Sequence, residues 1–246
     1  GFLGVPNGKN GPFPAYVTVP GAGPGPTGPG GAKSWATRGA LGLCMSVHTY
    51  DPTQSAADIK ASYSALNVKT RYAFQGAPDR EAYYFRRAIA AVDRAINYVA
   101  SRPDFDGKHL VVDGSSQGGA FALIMAGLNP NVTACAANVP AMCDHRGGEV
   151  ERGPGWPHIA GAAGKGDVQP FLLMSGYFDA VNFARRITCP TVVSVGFIDG
   201  TCPPSSVMSA YNEIRAPKQL FPDPRAGHQW VVGQFRAHLD TWIPGQ

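Results

Sequence analysis

Two adjacent serines between glycines, Ser115 and Ser116, are the strongest sign of chemistry in this chain. They stand in LVVDGSSQGGAFAL (110–123), which contains the pattern Gly-x-Ser-x-Gly. Such a pattern marks a nucleophile only when a strand leads into it and a helix leads out. A β-branched run precedes the pattern and an alanine-rich helical run follows it, so we interpret it as a nucleophile elbow. A tight strand-to-helix turn without chemistry is the alternative.

Ser116 is the serine that we expect to react. It has glycines two positions away on both sides, Gly114 and Gly118, whereas Ser115 has an aspartate and a glutamine at those positions. The elbow turns so sharply that side chains two residues from the nucleophile would collide. The glycine spacing therefore assigns Ser116 as the nucleophile and Ser115 as a spacer.

A serine nucleophile needs a histidine base, and His228 is the one that we select. In folds with this elbow the chain order is serine, acid, histidine. His228 lies in DPRAGHQW, between the last predicted strand and the last predicted helix, where the base is expected. The remaining histidines precede the acid, stand in an irregular stretch or lie inside predicted elements: His48, His109, His145, His158 and His238. A solvated loop histidine is the alternative for His228.

Asp199 is the acid that we expect to orient this base. It follows the apolar run TVVSVGFI and precedes GTCPPSS, which places it in a loop at the carboxyl end of a strand. Asp223 is only five residues before His228 and is better explained as a turn former. Asp179 begins a predicted helix and is explained as its cap.

A tetrahedral oxyanion needs two backbone N–H donors. One is expected from Gln117, directly after the nucleophile. The other is expected from Ala22 in the PGAG loop that follows PAYVTVP, where glycines allow close approach of the backbone. A flexible glycine loop without this role is the alternative.

Strand-like and helix-like segments alternate along the whole chain. The predicted strands cover 14–20, 40–47, 109–114, 132–140, 191–198 and 218–222. The predicted helices cover 80–102, 118–128, 178–187, 205–214 and 230–243. This alternation predicts an α/β fold with a mostly parallel central sheet, covered by helices on both faces. No internal repeat or interdomain linker is visible, so we expect a single domain over 1–246.

Composition excludes several classes of protein. The net charge of +4 over 246 residues, without a block of Lys and Arg, argues against nucleic-acid binding. No apolar run reaches the length of about 18 residues that spans a membrane. Five cysteines without a CxxC pair argue against a zinc site, and buried free thiols are favoured over a single disulfide. The chain begins at Gly1 without a leader, so the compartment stays open; a processed N-terminus would favour a secreted or periplasmic protein.

Four stretches of the chain resemble the acetyl xylan esterase and cephalosporin-C deacetylase family of α/β-hydrolases. They are VDGSSQGGAFAL, NVPAMCDH, YFDAVNFARRITCPTVVSVGFIDGTCPPSSVMSAYNEI and AGHQW. The family's nucleophile, acid and base fall on Ser116, Asp199 and His228, in agreement with the choice made from spacing. The resemblance implies an α/β-hydrolase fold and deacetylation of sugars or other small acetyl esters, without a metal or organic cofactor.

The chain departs from the family pattern at several places. HTY (48–50) stands where the family has Arg-Gly-Gln, PGA (20–22) replaces His-Gly-Tyr, and Gln229 replaces a glutamate. The helices and strands that precede the core in the family are not recognisable here. The departures leave the alcohol-side pocket, the substrate and the family's ring-shaped oligomer open.

Substrate-pocket residues are expected on two segments. The stretch PAMCDH (140–145) follows a strand just after the nucleophile helix, so Met142 and Cys143 would form an apolar acyl pocket. The polar candidates that would bond a polyol are Asp144 and His145 on this segment and His48 and Tyr50 on the other side. Alternatively, these four residues bond to each other and brace the loops.

The sequence favours a serine ester hydrolase that acts on a small-molecule or carbohydrate ester, with no cofactor. A general carboxylesterase, a dienelactone-type hydrolase and a serine peptidase of the prolyl-oligopeptidase type use the same elbow. The last of these normally carries a propeller domain, for which this chain has no room. A non-catalytic binding protein on a hydrolase scaffold is the alternative from another class.

Overall fold

A computed structural model describes residues 1–8, 11–229 and 234–242. Its centre is a seven-stranded sheet with the spatial order β1-β3-β2-β4-β5-β6-β7. All neighbouring strands pair in parallel except β1, which runs antiparallel to β3 at one edge. The strands are β1 Phe2–Gly4, β2 Phe13–Val19, β3 Leu41–Cys44, β4 Phe105–Ser115, β5 Ala134–Asn138, β6 Thr191–Gly196 and β7 Lys218–Asp223.

Eight α-helices connect or cover these strands in the described part of the chain. They are α1 Gly30–Thr37, α2 Ala56–Ala65, α3 Tyr84–Ala100, α4 Gln117–Leu128, α5 Gln169–Ser175, α6 Ala180–Ala184, α7 Pro204–Glu213 and α8 Gln234–Asp240. Short 3-10 turns lie at Tyr72–Phe74, Gly147–Val150 and Ile159–Ala163. Among the residues that the structure covers, no helix is both long and apolar enough to cross a membrane.

The inner strands β2, β3, β5 and β6 are buried on both faces, as a mostly parallel sheet covered by helices requires. Along β2, Ala15 and Val17 face the larger part of the core, whereas Tyr16 between them faces the smaller part with Trp35 of α1. Side chains alternate across a strand, so each layer of helices receives every second residue. The expected α/β arrangement, a mostly parallel sheet with helices on both faces, is therefore confirmed.

Helix α3 forms because one of its faces is apolar at helical spacing. Phe85, Ala88, Val92, Ile96 and Val99 are all buried, at intervals of three and four residues. The predicted helix 80–102 is observed as Tyr84–Ala100, so it begins four residues later than predicted and ends before Pro103. Helix α4, in contrast, is buried around almost its whole surface, because it lies between the sheet and helices α3 and α6.

The sequence missed the elements that tertiary packing stabilises. Strand β1 is only three residues long, and α1 begins with two glycines inside a Gly/Pro-rich loop. Helix α1 is held by Trp35, which stacks on Tyr16 with ring centroids 3.8 Å apart. Helices α2 and α5 were also missed, and the predicted helix 178–187 is shorter in the structure, at Ala180–Ala184.

Two further predictions concern the end of the chain and the cysteines. The predicted last helix, 230–243, is observed as Gln234–Asp240, and positions 230–233 and 243 lie outside the described residues. All five cysteines are free and buried, which confirms buried thiols over a disulfide.

Truncation of Phe121 tests the packing of α4, the helix that follows the nucleophile. Phe121 has no exposed surface, so Phe121→Ala should lower the free energy of unfolding by about 3–5 kcal/mol through lost burial and a cavity. Leu128→Ala, at the exposed end of the same helix, is the matched control and should cost about 0.5 kcal/mol or less. Urea unfolding followed by circular dichroism measures both, and equal losses would contradict the buried position of the helix.

Candidate active site

Ser116 is the single residue between strand β4 and helix α4, and its backbone is strained. Its φ of 57° and ψ of −118° lie in a region that residues with a side chain rarely adopt. The N–H of Ser116 donates to the Asn138 carbonyl at 2.9 Å. Its carbonyl accepts from the N–H groups of Ala120 and Ala141 at 3.0 and 2.9 Å. These three backbone bonds hold the strained turn in place.

The two flanking glycines are required by close backbone contact. A Cβ at Gly114 would lie 2.4 Å from the carbonyl carbon of Gly118, and one at Gly118 would lie 2.0 Å from the Val19 oxygen. Neither approach is possible for a residue with a side chain. This steric requirement explains why Ser116, with glycines two residues away on both sides, occupies the elbow position. Ser115 instead accepts a hydrogen bond from the Asn138 side chain at 2.7 Å.

Ser116, His228 and Asp199 form a continuous hydrogen-bond relay. Nε2 of His228 lies 2.8 Å from Oγ of Ser116, and Nδ1 lies 2.8 Å from Oδ2 of Asp199. A carboxylate only accepts, so Nδ1 carries the proton and Nε2 is free to accept the serine hydroxyl proton. The imidazole is about a quarter exposed (28%), whereas the Asp199 side chain is fully buried. The base is therefore accessible from solvent, whereas the acid is not.

Asp199 is held in its ionised form by hydrogen bonds on both oxygens. Oδ1 accepts the backbone N–H groups of Thr201 and Cys202 at 2.8 and 2.9 Å, and Oδ2 faces His228. Burial alone would raise the pKa of this carboxyl. The bonds from His228, Cys202 and Thr201 outweigh burial and hold the pKa below its ordinary value.

The loop that carries His228 packs directly on the loop that carries Asp199. The N–H of Ile198 donates to the Ala226 carbonyl at 3.1 Å. A Cβ at Gly196 would lie 2.5 Å from the carbonyl oxygens of both Ala226 and Gly227. Because β6 and β7 are neighbours, these contacts bring the two loops together at one edge of the sheet.

Of the two expected oxyanion donors, Gln117 lies at the elbow, and the loop that carries Ala22 contacts the elbow through Gly21. Gln117 is the first residue of α4, where backbone N–H groups have no partner within the helix. The loop after β2 touches the elbow at Gly21, where a Cβ would lie 3.2 Å from the Ser115 oxygen and 3.7 Å from Cβ of Ser116. Ala22 is the next residue, so it remains the candidate for the second donor.

The expected pocket residues on segment 140–145 have other roles in the structure. Met142 and Cys143 have no exposed surface, so they do not line an open acyl pocket as we expected. Asp144 forms a salt bridge with Arg152, whose Nε lies 2.9 Å from its Oδ2. His145 is buried, and its backbone N–H donates to Asp179 at 2.8 Å. The segment therefore forms a packed layer beside the elbow.

His48 and Tyr50 contact the loop that follows β2. Nε2 of His48 lies 2.8 Å from the Gly23 oxygen, and the Tyr50 hydroxyl donates to the Pro24 oxygen. Both residues thus brace a loop, which is the alternative that the sequence left open. They bond to this loop and not to Asp144 or His145.

Asn138 is a site residue that the sequence analysis missed. Its backbone oxygen accepts from Ser116, its Nδ2 donates to Ser115, and its Oδ1 accepts the Ser194 hydroxyl at 2.6 Å. It therefore links the ends of β4, β5 and β6. Its sequence signal was a polar residue at the end of an otherwise apolar strand, directly before Val139 and Pro140.

One group of side chains could in principle hold a metal ion. Among the described residues, Asp199, Cys202 and His228 offer ligand atoms that lie within 4.8 Å of one another. However, Asp199 and His228 already bond to each other, and burial raises the pKa of the Cys202 thiol to about 12. A metal ligand must be the thiolate, so this donor set suits the hydrogen-bond relay better than a metal.

A parallel sheet, a strained serine between strand and helix, and a Ser-His-Asp relay at the sheet edge define an α/β-hydrolase. Sequence comparison is more specific, because the profile of the acetyl xylan esterase family matches residues 1–153 and 163–243. The chain therefore belongs to the acetyl xylan esterase family, which confirms the resemblance described above.

Known relatives agree with this assignment. The chain is 36% identical over 247 residues to the acetyl esterase Axe7A of Xylanibacter ruminicola, covering 100% of this chain and 56% of that protein. This chain thus spans little more than half the length of that relative.

Solved structures show the same fold. The acetyl xylan esterase from Paenibacillus sp. R4 superposes with a TM-score of 0.80 at 24% identity, over 97% of this chain and 77% of that one. Acetyl xylan esterase 1 from Thermoanaerobacterium sp. JW/SL YS485 gives 0.71 at 21% identity, over 96% and 76%. An acylaminoacyl peptidase gives 0.63 at 13% identity, covering 98% of this chain and 37% of the peptidase. At these identities the structures inform on the fold alone.

Replacing each serine in turn tests the elbow register. Ser116→Ala should abolish ester hydrolysis and fluorophosphonate labelling, because removal of a serine nucleophile costs on the order of 10⁶ in kcat. Ser115→Ala loses one hydrogen bond to Asn138 and should remain active and labelled. Intact-mass spectrometry after labelling, with a p-nitrophenyl acetate assay, measures both. A dead Ser115→Ala variant with an active Ser116→Ala variant would contradict this register.

Asp199→Asn tests the orientation of the imidazole. The asparagine oxygen can still accept from Thr201 and Cys202, which turns its NH₂ group toward His228. Nδ1 must then accept, so the proton moves to Nε2 and the ring can no longer take the serine proton. We expect a loss of kcat on the order of 10⁴ with little change in folding. An activity within tenfold of the wild type would show that Asp199 does not orient the base.

Proposed function

We propose that this chain is a serine carboxylester hydrolase that removes acetyl groups from acetylated sugars, xylan included, or from similar small acetyl esters. The observation that carries the proposal is the Ser116–His228–Asp199 relay, with both bonds at 2.8 Å. Family membership supports the ester chemistry, and the names of the relatives support acetyl as the acyl group.

In the acylation half of the reaction, Oγ of Ser116 attacks the ester carbonyl carbon. His228 takes the serine proton at Nε2, and Asp199 stabilises the resulting imidazolium through Nδ1–H. The negative oxygen of the tetrahedral intermediate accepts hydrogen bonds from the N–H groups of Gln117 and Ala22. His228 then gives its proton to the leaving alcohol, and the acetyl group stays on Ser116.

In the deacylation half, water replaces the alcohol. His228 removes a proton from the attacking water, and the same two N–H groups hold the second oxyanion. When this intermediate collapses, the bond between Oγ and the acyl carbon breaks and Oγ recovers the proton from His228. Acetate leaves and the relay returns to its starting state, so the cycle needs no oxidant, reductant or cofactor.

Tight packing around the nucleophile supports a small acyl group. Ser116 is only 9% exposed, and the buried thiol of Cys202 lies against its hydroxyl. Each additional methylene of an acyl chain must displace groups packed around Ser116 or extend into solvent, which costs about 1–3 kcal/mol.

A series of p-nitrophenyl esters tests the acyl preference. We expect kcat/KM to fall from acetate to butyrate and again to octanoate, by about 10-fold or more for each step. Release of acetate from acetylated xylan, measured by chromatography, tests the sugar substrate directly.

The controls separate the competing functions. The Ser116→Ala variant gives the background rate, and EDTA should leave the wild-type rate unchanged if the relay works without a metal. Octanoate hydrolysed as fast as acetate would replace the deacetylase proposal by a general carboxylesterase. A wild-type chain that neither hydrolyses esters nor reacts with a fluorophosphonate would be a non-catalytic relative.

A further inference from the structure

We propose that His48 is a positioning residue that fixes the oxyanion loop, defined as residues 20–24, so that the Ala22 N–H points at the reacting oxygen. Tyr50 and Tyr84 act with it. This inference rests on the proposed function, because it concerns stabilisation of the tetrahedral intermediate at Ser116.

Both ring nitrogens of His48 are engaged by neighbouring groups. Nε2 lies 2.8 Å from the Gly23 oxygen, and Nδ1 lies 2.6 Å from the Tyr84 hydroxyl. A carbonyl oxygen can only accept, so Nε2 carries the proton and Nδ1 accepts from Tyr84. His48 is buried, and burial lowers its pKa, which favours this neutral form. No ring nitrogen is left for a sugar hydroxyl, which argues against the substrate contact expected from the sequence.

Tyr50 holds the next carbonyl of the same loop. Its hydroxyl donates to the Pro24 oxygen, and its ring lies against that of His48 with centroids 5.4 Å apart and planes 26° apart. His48 and Tyr50, two residues apart in the chain, therefore donate hydrogen bonds to two consecutive carbonyl oxygens of the loop. The loop is fixed just after Ala22.

The loop is also fixed just before Ala22. Gly21 touches the elbow, with its Cα so close that a Cβ would lie 3.2 Å from the Ser115 oxygen. Ala22 is thus the one residue between a contact with the nucleophile turn and a carbonyl held by His48. The direction of its N–H depends on both contacts.

The same group of side chains reaches the second expected donor. The His48 ring packs edge-on against Tyr72, with centroids 5.1 Å apart, and the Tyr72 hydroxyl donates to Oε1 of Gln117 at 2.6 Å. One packed group therefore touches the oxyanion loop at Gly23 and the start of α4 at Gln117. It sets the separation between the two N–H groups that receive the oxyanion.

Substitution of His48 by phenylalanine and by glutamine tests the proposal. Phenylalanine fills the site but makes neither bond, so kcat should fall about 100-fold, comparable to the loss of one oxyanion donor, while KM stays within about threefold. Glutamine can donate to the Gly23 oxygen and accept from Tyr84, so His48→Gln should recover most of the lost rate. A purely structural role would not give this split between kcat and KM or this rescue.

A second readout follows the tetrahedral state directly. A small alkyl boronic acid adds to Ser116 and places an oxygen where the oxyanion forms. Its affinity should weaken in His48→Phe by about the same factor as kcat. The matched control is Tyr83→Phe, which removes a similar buried bond, from the Tyr83 hydroxyl to the Ala73 oxygen at 3.0 Å, that involves neither His48 nor the oxyanion loop. The control should lose stability but keep kcat and boronate affinity.

The kinetic results support or contradict the positioning role of His48. Unchanged kcat and boronate affinity in a folded His48→Phe variant would overturn the inference, and a raised KM with unchanged kcat would make His48 a substrate contact instead. If His48→Phe does not fold, Tyr50→Phe removes only one hydroxyl and should still lower kcat about tenfold; no loss would overturn the inference. A wild-type chain without esterase activity or fluorophosphonate labelling would overturn the proposed function itself.

Discussion

The strained backbone of Ser116 is the constraint on which the rest of the site depends. A residue with a side chain in this conformation costs on the order of 1–3 kcal/mol, and it persists only where its surroundings allow no other conformation. Here Gly114 and Gly118 approach each other and Val19 so closely that only glycine fits. The strained turn places the hydroxyl at the carboxyl end of the central strand β4 and at the start of α4. There the partial positive charge of the helix favours a developing oxyanion.

The relay follows from the order and register of the strands. Parallel strands β4, β5, β6 and β7 are neighbours, so their carboxyl ends lie along one edge. Asn138 pairs with Ser115 on one side and with Ser194 on the other, and its side chain bonds to both hydroxyls. It ties three strand ends into one unit. The loops after β6 and β7 then bring Asp199 and His228 into line with the nucleophile.

The sequence predicted what depends on local pattern and chain order. Strands β2 to β7, the helix after the elbow, and the positions of Ser116, Asp199 and His228 follow from local pattern and chain order, and the structure brings these three residues together. Contacts between distant segments could not be predicted. Helix α1 has poor intrinsic propensity and depends on a stack between two aromatic rings. Likewise, no local pattern shows that Met142 would be buried instead of facing a pocket.

The bracing role of His48 and Tyr50 has its origin in the composition of the loop that they hold. The stretch PGAGPGPTGP (20–29) contains four prolines, none of which has an N–H to donate. Its carbonyl oxygens outnumber its donors, so this loop cannot satisfy them by forming a helix or strand of its own. Oxygens that are shielded from water must then accept from side chains. The glycines allow the loop backbone to approach the nucleophile closely. The loop cannot make itself rigid through its own hydrogen bonds, so the donors of His48 and Tyr50 supply that rigidity.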